Sequence, residues 1–390
     1  MKAMREIRSL TDSATVAINS IAQQKIDAGI KVFNLSAGEP NLPPHPLIVH
    51  AVLEALDQGK TFYPPVSGLS ELKKLAIEWM NNAYACHFQE EHCLVVNGGK
   101  LGIYLLLQHV LQKNDEVLIA SPYWVSYPAI TTLFGGSPIV IDTHEEDGWK
   151  ITPTNLKKAC STKSKILILN NACNPTGALY TKTELKTLLQ VASELDLLVI
   201  SDEVYSGLTY DSRVFVSCGE FNEYQDRVVV IQSCSKNFSM TGWRVGFVFA
   251  PTSLIKQLTS LLSQSTSGVT TISQWAAVAV LKQVDTVHSW VRENMQKRRN
   301  VLIKAMQDYF GISLRPPPAS LYAFIALHHL GIKNITSTEF CKQALDVANV
   351  ALVPGIAFGK EGFIRCSFGA SEQDLELGVK ALADFCKRKC

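Results

Sequence analysis

The chain has 390 residues, 47% of them hydrophobic and 18% charged, with a formal net charge of +2 at pH 7. That length exceeds what one core usually serves, which predicts two domains, and the near-neutral charge excludes the basic face of a nucleic-acid binder or of a membrane-surface protein. No apolar run approaches the roughly 18 residues of a membrane span, and Met1–Arg5 opens no apolar stretch with a small-residue cleavage site, so the expectation is a cytoplasmic chain.

In chain order, strand-like apolar runs fall at Leu94–Val96, Val117–Ile119, Pro138–Ile141, Ile166–Leu169, Leu197–Ile200, Val228–Ile231 and Val245–Phe249. Helical patterns at Leu101–Leu111, Thr183–Leu195 and Leu254–Leu262 alternate with them. Continuous apolar strands separated by amphipathic helices predict an α/β domain with a mostly parallel sheet covered on both faces. Helices continue over Ile272–Tyr309, and mixed α and β signals return at Leu321–Ala326 and Val350–Phe368. The expected division is a large domain over 46–285 and a smaller α/β domain made of 1–45 and 286–390. The ten cysteines form no Cys-x-x-Cys pair and read as reduced, mostly buried residues. Cys86-His87 and His92-Cys93 read as a polar helix-to-strand connection rather than a zinc site, so no metal is expected.

Ligands of open α/β sheets collect outside the carboxyl ends of the strands, and the unusual residues of this chain sit there. Gly98-Gly99-Lys100 opens a helix after Leu94–Val96, where bare N–H groups and the helix dipole suit a phosphate. Trp124 follows Val117–Ala120 and suits either stacking on a flat ring or a core position. Asn174, in Asn174-Pro-Thr-Gly177, presents an amide at the sheet edge. Asp202 ends a fully apolar strand, a costly place for a carboxylate without a cationic partner; a pyridinium nitrogen is one such partner, and Tyr205 lies three residues on. After Val228–Ile231 comes Ser233-Cys-Ser-Lys236, with Arg244 eight positions beyond the lysine. A lysine amine forms Schiff bases with carbonyls, and the hydroxyls with Arg244 suit a phosphate dianion. Any one of these segments alone also reads as ordinary turn or loop chemistry; five in order do not.

Together they resemble the class I pyridoxal-phosphate aminotransferases of fold type I, and within that family the bacterial aspartate aminotransferases. The resemblance runs from Ser13–Val16 and Ser36–Pro40 through Tyr63–Gly68 to Arg365–Phe368. It implies the cofactor pyridoxal 5′-phosphate, with Lys236 as the catalytic lysine and general acid/base. Asp202 would hold the pyridine nitrogen, with Tyr205 and Asn174 on the ring oxygen. Ser233, Ser235, Arg244, Gly99 and Lys100 would take the phosphate, and Trp124 would stack on the ring. Arg365 would grip the substrate α-carboxylate with Gly38, Asn174 and Trp124, and Ser13, Thr15 and Lys100 would read a distal carboxylate. Tyr63 and the Ser265–Val269 loop would reach into the neighbouring site of a homodimer.

The resemblance implies transamination of an L-amino acid, first L-aspartate, with 2-oxoglutarate. Ala172-Cys173 and Gly268-Val269 depart from the usual pattern, which leaves aromatic amino acids, alanine and prephenate as alternatives. A C–S lyase or cyclopropane-type synthase would share Lys236 and Asp202. A dinucleotide dehydrogenase would need Gly-x-Gly-x-x-Gly, and only Gly98-Gly99 stands at that place. A non-enzymatic regulator on this fold would need an added DNA-binding module, for which Met1–Leu35 is too short.

Overall fold

The computed structural model describes residues 14–388, with side chains from residue 17 onward. Ser13 and the side chain of Thr15 therefore lie outside the described residues. Among the described residues, twelve strands run in the order β1 (Phe33–Asn34), β2 (Cys93–Val96), β3 (Glu116–Ser121), β4 (Ser137–Asp142), β5 (Ser164–Asn170), β6 (Leu198–Asp202), β7 (Val228–Ser233), β8 (Gly246–Phe249), β9 (Tyr322–Ala326), β10 (Val350–Ala351), β11 (Val353–Pro354) and β12 (Phe363–Ser367).

Seven strands form the central sheet in the order β2-β8-β7-β6-β5-β3-β4. All neighbours are parallel except β8, which runs against both β2 and β7. The strand period of two distributes each apolar run between two cores. Val228 and Val230 of β7 join one core, Val229 and Ile231 the other. Leu167 and Leu169 of β5 likewise part from Ile166 and Ile168. Burial on both faces is what made these strands readable as unbroken apolar runs.

Helices cover both faces. Gly99–Val110 and Thr252–Ser265 lie on one side, Ser70–Tyr84 and Lys182–Glu194 on the other. Lys182–Glu194 starts at a capping box in which Thr181 accepts from the Glu184 amide and Glu184 accepts back from the Thr181 amide, two otherwise orphaned donors satisfied locally. A second, antiparallel sheet has the order β11-β12-β9, and β1 pairs with β10 in parallel. Phe33 and Asn34 thus lie beside Val350 and Ala351, joining the two ends of the chain. The helix Val284–Phe310 packs along Glu372–Lys387 and ends at Gly311, whose φ of +70° is one that glycine adopts without strain. Among the described residues, no helix is long and apolar enough to cross a membrane.

Candidate active site

The carboxyl ends of β3, β5, β6 and β7 open on one side of the central sheet, facing β12 and the segment Ser36–Asn41. Between them lies a cleft of about 400 Å³. Asp202, the last residue of β6, is 4% exposed and lines it. Its Oδ2 accepts from the Tyr127 hydroxyl at 2.5 Å, while its buried Oδ1 has no partner. Burial pushes this carboxyl up from 3.8 to about 6, against the opposing pull of the Tyr127 hydroxyl and the Val204 amide. Asn170, ending β5, donates to the Asp202 carbonyl at 3.0 Å and accepts from the Asn174 amide at 2.7 Å. The adjacent strand ends are thereby held in register.

β7 runs into the short helix Cys234–Asn237, which carries Lys236. Ser233 caps it, accepting from the Ser235 amide, and its hydroxyl donates to the Ser235 hydroxyl at 2.8 Å. Lys236 donates from Nζ to the Gly38 carbonyl at 2.6 Å. Desolvation holds the amine down at about 8; Glu39 opposes that fall, and Arg244, Arg365 and Lys100 reinforce it. A lysine at that value reaches its neutral, nucleophilic form far more readily than a free one.

Beside it lies a cationic, glycine-lined corner. Gly98 has a φ of +81°, and a Cβ there would stand 2.3 Å from the Arg244 guanidinium. A Cβ on Gly246 would meet Gly98 and Gly99 backbone at 2.7 Å. These glycines let β8, Arg244 and the start of the helix Gly99–Val110 converge, presenting amides, the Ser235 hydroxyl and Arg244 to one space. The Lys100 amine sits 4.9 Å from the centre of the Trp124 ring, and desolvation followed by Arg244 lowers its pKa.

Arg365, at the middle of β12, is 2% exposed and reaches the cleft from the opposite sheet. Its guanidinium donates to Asn174 Oδ1 at 3.0 Å and to the Ser36 carbonyl at 2.7 Å, and its Nε has no partner. It lies 4.3 Å from the Tyr322 ring centre.

The structure thus gathers Gly38, Gly99, Lys100, Trp124, Asn174, Asp202, Tyr205, Ser233, Ser235, Lys236, Arg244 and Arg365 around one cleft. It does not bring Tyr63 there: that side chain is 96% exposed, beside Phe62 at 83%. The Ser265–Val269 loop packs against the same segment, Gly268 meeting Pro64 and Pro65. Among the cleft residues without an expected site role are Tyr127, Tyr322, Asn19 and Glu39. Tyr127 lies three positions beyond Trp124 and Tyr322 lies within the apolar run Leu321–Ala326, so each read as an ordinary core aromatic whose polar tip was the one hint of a role. Asn19 had none, and Glu39 stood out only as part of Ser36–Pro40. Among the described residues, no group of three or more His, Cys, Asp or Glu is placed to hold a metal.

A mostly parallel sheet with a buried carboxylate ending one strand and a half-buried lysine just past the end of the next is the arrangement of a fold type I pyridoxal-phosphate enzyme. The family model for class I and II aminotransferases matches residues 30–382, and the chain belongs to that family. The aspartate aminotransferase of Bacillus subtilis is 35% identical over all of both chains. That of Geobacillus stearothermophilus is 37% identical over 99% of each. The aspartate aminotransferase of Thermus thermophilus, solved with maleate, superposes with a TM-score of 0.92 at 32% identity, covering 98% of this chain and 100% of that one. The protein is a pyridoxal-phosphate-dependent aminotransferase.

The residues present fit that cofactor. The partnerless Asp202 Oδ1 is an acceptor suited to a pyridinium N–H, and the glycine-lined corner with Ser235 and Arg244 suits a phosphate dianion.

Proposed function

We propose that the protein transfers the amino group of L-aspartate to 2-oxoglutarate, giving oxaloacetate and L-glutamate, as a cytoplasmic homodimer. The observation that carries this reading is the pair of cations left once Lys236 and Arg244 are assigned. Arg365 and Lys100 line the same cleft, and a dicarboxylic donor offers an anion to each. The dicarboxylate maleate in the Thermus thermophilus relative and the names of the Bacillus and Geobacillus relatives support it.

Bound cofactor supplies an aldehyde for amine capture and a ring that draws electron density from the substrate Cα. The chain's residues do the rest. Asp202 would hold the proton on the ring nitrogen, and Tyr205 and Asn174 would bond the ring oxygen. Ser233, Ser235, Arg244 and the Gly99 and Lys100 amides would hold the phosphate, and Trp124 would cover the ring. Arg365, already oriented by Asn174 and the Ser36 carbonyl, takes the α-carboxylate as a planar fork beside Gly38. Lys236 Nζ, held near neutrality by desolvation, removes and returns the Cα proton. Lys100, with Ser13 and Thr15, reads the distal carboxylate.

The homodimer reading is supported by the outward Tyr63 and Phe62 and by Val49, Leu53 and Leu56, exposed along the helix Pro46–Asp57. Tyr63 then belongs to the neighbouring subunit's site. The division of the chain into 46–285 and 1–45 with 286–390 is proposed on the two separate sheets, with the second boundary inside the first turn of the helix Val284–Phe310.

Steady-state comparison of aspartate, alanine and phenylalanine in the wild type and Lys100→Ala tests the substrate. Aspartate should lead in the wild type. Lys100→Ala should cost aspartate about ten- to a hundredfold in kcat/KM, a typical loss for one charged hydrogen bond, with alanine and phenylalanine little changed. Equal losses for all three donors, with weaker cofactor retention, would assign Lys100 to the phosphate alone.

A further inference from the structure

Tyr322 stands between the two halves of the site. It projects from β9, the strand beside β12, where Arg365 pairs with Phe324. Its ring packs against the Arg365 guanidinium at 4.3 Å, close enough for a desolvated cation–π contact. Its hydroxyl lies 2.9 Å from that of Tyr205 and 3.4 Å from the Gly38 carbonyl. That same carbonyl accepts from Lys236 Nζ. The side chain is 1% exposed, and Gly38 is shaped to it: a Cβ there would lie 2.7 Å from the Tyr322 hydroxyl. One face of this tyrosine therefore touches the group assigned to the substrate carboxylate, and its hydroxyl touches the group assigned to the cofactor's ring oxygen.

We propose that Tyr322 is a positioning residue that couples occupation of Arg365 by a carboxylate to the proton held between Tyr205 and the cofactor. The proposal rests on the site reading above. A carboxylate on Arg365 neutralises the cation lying against the Tyr322 ring. The hydroxyl bonded to Tyr205 then sits in a different field, and the proton preference along Tyr322, Tyr205 and the ring oxygen changes with it. The charged and titratable groups facing this pair come from every neighbouring element. Arg365 faces it from β12, Asp202 from the end of β6, Lys236 from its short helix and Glu39 from the N-terminal segment. Of these only Arg365 changes partner when a carboxylate arrives. Burial raises the pKa values of both phenols, so the pair acts through the placement of hydrogen bonds rather than by losing a proton itself.

The test is a visible-absorbance titration of the holoenzyme over roughly pH 5 to 9, with and without succinate, a dicarboxylate that has no amine to transfer. In the wild type succinate should displace the midpoint. Reciprocity then requires its dissociation constant to change across that midpoint by the same factor, on the order of 5–150-fold. Tyr322→Phe keeps the ring against Arg365 and should cut that factor at least about threefold while leaving the tightest succinate affinity within about threefold. In a cycle with Tyr205→Phe, the double variant should displace no less than Tyr205→Phe alone. An undiminished factor in Tyr322→Phe, additive losses in the cycle, or a wild-type midpoint indifferent to succinate would each overturn the coupling. A wild type with no visible band, or with borohydride fixing the cofactor to a lysine other than Lys236, would overturn the site reading instead.

Discussion

The turn after β6 has a cleft side and a far side, and each holds one carboxylate. Asp202 and Glu203 are neighbours, both buried and each with one partnerless oxygen. Burial lifts the first to about 6 and the second to about 7. They differ in what they face. Asp202 takes one strong donor, Tyr127, keeps its other oxygen unpartnered, and lines the cleft. Glu203 accepts from the Ser201 hydroxyl at 2.8 Å and the Cys218 amide at 2.9 Å, tying β6 to the following 217–218 turn. Desolvation alone therefore does not mark a catalytic group; a strained carboxylate becomes one where a ligand can relieve it.

Three substitutions probe that contrast. The largest effect is expected at Asp202→Asn, with kcat falling roughly 10²–10³-fold as for other lost electrostatic stabilisers, while cofactor absorbance shows it still bound through the phosphate. Near-normal turnover would reduce Asp202 to a turn residue. Tyr127→Phe should come next. Removing the donor to Asp202 Oδ2 should lower kcat by about tenfold, the worth of one hydrogen bond to a charged group, and an unchanged kcat would make Tyr127 a packing residue.

The smallest catalytic effect is expected at Glu203→Gln, with kcat within about twofold and the signal in stability instead. A carboxyl raised in the folded state favours folding below its unfolded value and loses that contribution as pH rises through about 7. Glutamine has no such loss. Denaturation at two pH values should show the variant gaining on the wild type by about 1–3 kcal/mol between pH 5 and 8, from 1.36 kcal/mol per unit of displacement. A constant difference would show that Glu203 does not titrate with folding.

Much of the sheet was legible because burial on both faces leaves apolar runs that only a covered strand can carry. The direction of β8 was not: Val245–Phe249 looks like its parallel neighbours, since an apolar run holds no sign of polarity. The two-residue strands β1, β10 and β11 carry no period to read, and β1 exists only through pairing with residues more than 300 positions away. The strand-end residues Asp202, Lys236 and Asn174 stood out as chemistry placed where a core should close. Tyr322 and Tyr127 did not, because an aromatic in an apolar run is ordinary core until its hydroxyl is seen to reach a partner. Glu39 is recognisable only once Thr241 is seen donating to it at 2.5 Å across the cleft wall.

Arg365 is fastened to the Ser36 carbonyl and β10 to β1, so segments more than 300 positions apart meet at one wall of the cleft. That fixes an order of events at the ribosome. Translation at roughly 5–20 residues per second delivers Asp202 and Lys236 on the order of ten seconds before Arg365. The nascent chain thus carries those two residues while Arg365, proposed to take the substrate carboxylate, is still unmade. On the proposed roles, a product cut short before residue 365 would contain the lysine but lack the arginine assigned to the α-carboxylate.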